Sequence, residues 1–174
     1  ARRSIPNAHL RIIGDGDQLA ELRALATELA LGAAVSFAPS VPIELLPAVL
    51  AHASAGLVPN QSSAATHLML PVKLLEYATL GIPVICARLR TVQQYFGDES
   101  VAYFEPGSAA DLARAMEELY LLPRRRDSLA AHARRAVERL DWKTQCQELY
   151  AAIDSVLARD DRSYGRGVAH AQAP

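Results

Sequence analysis

The stretch "MLPVKLLEYATLGIPVICA", residues 69–87, decides how the chain is read. A leucine-rich segment of helical period carries one lysine and one glutamate, is stopped by Gly81 and Pro83, and passes at once into the apolar run "PVICA". A helix leading into a strand with no polar alternation is one half of a β-α-β unit, because only a strand covered on both faces tolerates apolar residues at every position. Outward from it, four more runs have the same character: "HLRIIG" (residues 9–14), "AVSFA" (34–38), "AGLVP" (55–59) and "VAYFE" (101–105).

Helical segments fill the intervals. Asp17 is placed to cap a helix over residues 18–31 with Leu19, Leu22, Leu25, Ala26 and Leu29 in one stripe, ended by Gly32. Pro42 starts a helix that Pro47 keeps short or kinked. "SAAD" (108–111) opens a helix to residue 122 with Leu112, Ala115, Met116 and Leu119 inward. Two further helices are expected over residues 129–140 and 141–157, the second capped by Asp141 and burying Trp142, Cys146, Leu149, Tyr150 and Ile153. The order β-α-β-α-β-α-β-β-α-α-α specifies an α/β fold: a doubly wound, Rossmann-like parallel sheet flanked by helices, with C-terminal helices appended. Residues 1–158 are expected to form the domain and 159–174, which lack periodicity, a flexible tail.

The 174 residues suffice for one domain with its own core. A hydrophobic share of 51%, a charged share of 21% and a formal net charge of −1 describe a soluble globular protein without the basic excess that nucleic acid demands. Cys86 and Cys146 lack metal-ligand spacing and read as reduced thiols. No apolar run approaches the roughly 20 residues of a membrane span. The opening "ARRSIPNAHLRIIGDG" has no initiator Met and reads as the interior of a longer protein.

In a doubly wound fold, ligands gather where strands end and helices begin. Gly14 and Gly16 in "GDGDQ" follow the first strand; they either let a ligand approach the backbone or make a tight turn with an N-cap. "APSVP", holding Pro39 and Val41, follows the second. The long "PNQSSAATHLMLP" (59–71) follows the third, and its His67 is either an exposed loop histidine or an acceptor or acid/base group. Lys73 and Glu76 share one helix face at i, i+3. Spacing leaves two readings open: a local ion pair, or a phosphate cation beside a carboxylate that accepts from two ribose hydroxyls.

These elements in this order, "IIGDG", "VSFAPSVPIELLP", "AGLVPN", "LLEYATLGIPVICA", then "VAYFEPGSAADLARAMEELY" and "LDWKTQCQELYAAI", closely resemble the C-terminal, nucleotide-sugar-binding domain of the group 1 (family 4) retaining glycosyltransferases of GT-B fold. The resemblance covers residues 8–157. It implies a nucleoside-diphosphate sugar as donor substrate with no cofactor and no metal, and an N-terminal domain of the same protein that binds the acceptor, whether saccharide, lipid-linked or small molecule. Glu76 matches the second glutamate of the family's E-x7-E motif, the ribose ligand, and Lys73 matches a subset's diphosphate lysine. The backbone at Leu68, Met69 and Leu70 would face the diphosphate, Gly14 and Gly16 would keep the pocket wall low, and Pro39 and Val41 would flank the base.

Three departures stand out: Leu68 occupies the first glutamate position, Ala38 replaces the usual glycine, and the family's first strand with its cationic Arg/Lys pair is not in this chain. The fragment alone is therefore expected to be inactive. The alternatives are a sugar-nucleotide 2-epimerase of the same fold and a non-catalytic nucleotide-binding or scaffold module. The arginines of residues 124–139 read as a solvated face, with contact to an anionic membrane surface as the alternative. The expected location is the cytoplasm, with peripheral association at the inner membrane face as its variant.

Overall fold

The computed structural model describes residues 4–164, and side chains through residue 158. Five strands, β1 (Leu10–Ile13), β2 (Val35–Ala38), β3 (Gly56–Val58), β4 (Val84–Ala87) and β5 (Ala102–Phe104), alternate with helices α1 (Leu19–Glu28), α2 (Leu46–Leu50), α3 (Val72–Thr79) and α4 (Arg90–Tyr95). Helices α5 (Ala109–Leu121), α6 (Pro123–Glu138) and α7 (Trp142–Tyr164) follow. Every strand pair is parallel; β4 and β5 are buried throughout, as parallel strands covered on both faces are, whereas β1 is exposed at Leu10 and Arg11. The strands form two sheets, β1-β2 and β3-β4-β5.

The core belongs to the second sheet. Each residue of β4 is buried, and Val58, Leu74, Ala78, Phe96, Ala115, Leu119, Leu129 and Ala133 close around it from β3, from α3, α5 and α6, and from the end of α4. Gly81 ends α3 as the sequence requires: it takes φ +69°, and the Ile82 N–H reaches back to the Tyr77 carbonyl at 2.9 Å. Ser108 caps α5 by accepting from the Asp111 N–H at 3.2 Å, and Asp111 itself turns to the Glu105 N–H at 2.7 Å. The inward stripe of α5 is as expected, with Ala115 and Leu119 buried and Leu112 and Met116 packed against the core.

Several expectations need correction. Helix α4 lies between β4 and β5, where none was expected; six residues with one buried side chain, Val92, are too few to show a period. It supplies the crossover that a parallel pair needs. Helix α6 starts at Pro123 rather than residue 129, because Pro at the first helical position lacks an N–H that would have had no partner anyway. Helix α1 stops at Glu28, before Gly32: Ala30 adopts φ +48° and the Leu31 N–H bonds the Ala26 carbonyl at 3.0 Å.

The two largest corrections concern burial. The α1 stripe is present, but no residue of α1 is buried, since a two-stranded sheet of four-residue strands offers too little area to cover it. Between α1 and β2 lies a cavity of about 510 Å³ lined by Arg23, Ala26, Val35 and Phe37. Asp141 caps α7 as expected, accepting from the Lys143 N–H at 2.7 Å. The side chains expected to be buried are not: Trp142 is 76% exposed, Leu149, Tyr150 and Ile153 are exposed and Cys146 is half-buried, because no other element packs broadly against α7. The helix runs on to Tyr164, past the expected boundary at 158, and the rest of the expected tail lies outside the described residues.

Candidate functional site

The carboxyl ends of the first three strands carry the loops singled out by sequence, and the structure sorts them into two groups. On the first sheet, Ile13 pairs with Ala38, so the loops that follow must start side by side. The Gly14 N–H donates to the Ala38 carbonyl at 3.0 Å, and Asp15 accepts from the Ser40 N–H at 2.8 Å. That backbone donor, and then the Ser40 side chain, hold the Asp15 carboxyl below its usual range. Asp15 is thus a clamp between loops 14–16 and 39–41, a role hidden in a sequence where "GDGD" reads equally as a plain turn. Gly14 sits at φ +145°, which a side chain rarely adopts, and a Cβ there or at Gly16 would meet nothing within 4 Å. Both positions border open space. Pro39 is exposed and Val41 half-buried beside it.

On the second sheet, the 59–71 loop leads into α3. Tyr77 on α3 lies flat over Gly56 at the start of β3, so closely that a Cβ on Gly56 would overlap its ring. Burial, and then the neighbouring Glu76 carboxylate, raise the Tyr77 phenol above its ordinary value.

Lys73 and Glu76 do not pair with one another. Among the described residues, neither makes a side-chain hydrogen bond or an ion pair. Lys73 is exposed and Glu76 half-buried. The N-terminus of α3 has no side-chain cap and no acidic residue in its first turn. The Val72 and Lys73 N–H groups therefore have no helical acceptor, and a lysine stands where the helix dipole disfavours a cation. Just ahead, the Leu68 N–H is turned to the Ala65 carbonyl at 3.0 Å, while those of Met69 and Leu70 donate to nothing among the described residues. Leu68 itself is 76% exposed. The edge as a whole is a row of donors with one positive charge, followed one turn along by an unpaired carboxylate. No hydrogen bond of the described residues joins residues 14–16 or 39–41 to residues 68–76.

His67, open to two readings from sequence, is half-buried and bonded through both ring nitrogens: the Arg90 N–H donates to Nδ1 at 3.2 Å, and Nε2 lies 2.9 Å from Ser62 Oγ. Arg88, after β4, bridges Asp98 at 3.2 Å and Glu105 at 3.7 Å and covers the Tyr103 ring at 4.6 Å, bracing the turns that follow β4 and β5. Of the 124–139 arginines, Arg125 pairs with Glu118, Arg126 with Asp127 and Arg134 with Glu138, as on a solvated face. No described helix is long and apolar enough to cross a membrane.

Residues 1–136 match a family model described as "Glycosyl transferases group 1". Over 148 residues the chain is 28% identical to the GDP-mannose-dependent alpha-(1-6)-phosphatidylinositol monomannoside mannosyltransferase of Mycolicibacterium smegmatis, a match covering 83% of this chain and 39% of that protein. Among solved structures, sucrose-phosphate synthase from Thermosynechococcus elongatus superposes with a TM-score of 0.73 at 24% identity, over 87% of this chain and 40% of that one. Anabaena HepE in complex with UDP and glucose superposes with a TM-score of 0.69 at 20% identity, over 88% and 43%. The chain spans about two fifths of the length of these relatives.

Proposed function

The chain belongs to the group 1 glycosyltransferases, and from that premise we propose that it is the nucleotide-sugar-binding half of a retaining, family 4 enzyme of GT-B fold. The observation that carries this reading is the start of α3. An uncapped helix N-terminus that also bears Lys73 is unfavourable until an anion occupies it, and a diphosphate supplies that anion. Glu76 lies about 4.5 Å further along the axis, at i+3, with its acceptor oxygens unclaimed. Two vicinal ribose hydroxyls suit it. The amides of Met69, Leu70, Val72 and Lys73 would take the diphosphate oxygens, with Leu68 beside them. Gly14 and Gly16 would leave room for the nucleotide, and Pro39 and Val41 would flank its base.

In transfer, the bond from the anomeric carbon to the distal phosphate oxygen breaks, a bond to an acceptor oxygen forms on the same face, and the acceptor proton leaves with the nucleoside diphosphate. The share of these residues is to stabilise the charge that develops on the leaving group. Amides and Lys73 carry that charge with no metal or cofactor in the scheme. The acceptor and its binding domain belong to the whole protein, so the chain alone binds donor without turnover. We place it in the cytoplasm or peripherally at the inner membrane face.

The test is a calorimetric titration of GDP, UDP and ADP into the wild-type chain and Glu76→Ala. Saturable binding of one nucleotide, weakened about a hundred-fold in the variant, is the expected result, because two charge-assisted hydrogen bonds are lost. Binding unchanged by the substitution would remove Glu76 from the site. A whole protein that binds nucleotide but never transfers sugar would be a binding module.

A further inference from the structure

We propose that His67 is a positioning residue, which in its neutral form holds the 59–71 loop in its donor-binding shape and which releases that loop when protonated. The proposal rests on the donor-site reading above, but its geometry stands apart from it. Helix α4 begins with Leu89 as N-cap and has no cap from its own neighbourhood. The first N–H of the helix, that of Arg90, is one of those without a helical acceptor, and it donates to His67 Nδ1 at 3.2 Å. A histidine from another loop is therefore the cap. One residue on, the Thr91 hydroxyl donates to the His67 carbonyl at 2.8 Å. Both links run to the same residue, and among the described residues no other hydrogen bond joins the loop to α4.

The loop is otherwise closed on itself. Ser63 N–H donates to Thr66 Oγ1 at 2.8 Å, Thr66 N–H to Ser63 Oγ at 3.1 Å, the Thr66 hydroxyl to the Gln61 carbonyl at 2.7 Å, and His67 N–H to the Ser63 carbonyl at 3.1 Å. Such a unit moves as one body when its anchor moves. The residues that follow directly, Leu68 to Leu70, lead into Lys73 and Glu76.

The bonds also determine the tautomer. A backbone N–H can only donate, so Nδ1 must hold a lone pair, and the ring proton is on Nε2, donating to Ser62 Oγ at 2.9 Å. Protonation puts a second N–H on Nδ1, directly against that of Arg90, and sets a positive ring at the positive end of α4. The capping bond cannot survive in that form. The charged groups on the elements around His67 are few. Residues 59–71 hold no other titratable side chain, α4 brings Arg90 and Tyr95, and the turn before it brings Arg88, already tied to Asp98 and Glu105. Helix α3 brings Lys73, Glu76 and Tyr77.

The experiment follows amide hydrogen exchange at Arg90 and across residues 61–68 of the whole chain, corrected for intrinsic rates, between about pH 7.5 and about pH 5.5, the span in which histidines titrate. The same samples are titrated with GDP, UDP and ADP. The variants are His67→Asn, whose amide oxygen accepts near the Nδ1 position but does not titrate, and Thr91→Val, which breaks the second link alone. Expected in the wild type is a loss of protection on acidification together with about ten-fold weaker nucleotide binding. His67→Asn should keep both across the range, and Thr91→Val should loosen the loop at every pH. Protection independent of pH in the wild type overturns the proposal. Tighter nucleotide binding at acid pH overturns it too, since that would mean a histidine touching the phosphate directly. If protection falls while affinity holds, His67 pins the loop but does not position the donor, and that role is overturned. No nucleotide binding at any pH overturns the donor reading and the donor role together, while the exchange data still decide whether His67 holds the loop.

Discussion

Ala30 and Gly81 occupy equivalent places at the ends of α1 and α3. Each takes a left-handed φ, +48° and +69°, and in each case the next N–H reaches back five residues, Leu31 to Ala26 and Ile82 to Tyr77. Glycine enters this region freely, whereas a Cβ costs about 1–2 kcal/mol there. Ala30→Gly is therefore expected to stabilise the chain by up to about 1 kcal/mol in urea unfolding, the remainder being taken back by the entropy of glycine in the unfolded chain. An unchanged or lower midpoint would show that Ala30 is not held in that conformation. Of this pair, only Gly81 was legible in the sequence, because glycine before proline is a stop signal in itself. The end of α1 was misplaced at Gly32, since nothing in the sequence marks an alanine that must adopt a positive φ. At the same scale, Cys86 shows how burial alone changes chemistry: its thiol is pushed up to about 12 by desolvation and stays unreactive within β4.

Among elements, α3 carries the proposed donor site and packs against β3. The contact that matters is Tyr77 on Gly56. Gly56→Ala must push the ring, and α3 with it, away from the sheet. A destabilisation of about 1–3 kcal/mol is expected, along with weaker nucleotide binding through displacement of Glu76, read by combining chemical unfolding with the titration. Loss of stability with unchanged affinity would separate the packing of α3 from its site. Glu76 and Lys73 stood out in the sequence as an i, i+3 pair, and that spacing favoured an ion pair as much as a ligand site. Geometry decided against the pair: on one helix face the two side chains were free to meet, and they do not. The Asp15–Ser40 clamp and the His67–Arg90 cap could not be read at all. Each joins residues more than twenty positions apart, and nothing local distinguishes a turn aspartate or a loop histidine that will find such a partner.

At the scale of the whole molecule, order is unevenly distributed. The core surrounds β3-β4-β5, while α1 and α7 hold their apolar stripes toward solvent. Amides of β1 and β2 should exchange with solvent well ahead of those in β4, because low burial means cheap local opening. Trp142, the single tryptophan, gives a direct optical check. Its fluorescence in the dilute native chain should already lie at the red, water-exposed position and shift little on unfolding, whereas a blue native spectrum would mean that the α7 stripe is covered.

The class of nearly every element, the parallel sense of the strands, the stop at Gly81 and the caps at Ser108 and Asp141 were legible in the order of residues, because each follows from chemistry close to its effect along the chain. That order also marked α3 as the helix to watch. Which stripes are covered emerged with the packed chain, because burial depends on the area a partner offers and not on the periodicity of the helix that seeks it. The same holds for the site. Whether Glu76 is paired, whether Asp15 clamps and which ring nitrogen of His67 carries the proton are settled by neighbours in space, and those neighbours exist only once the chain has folded.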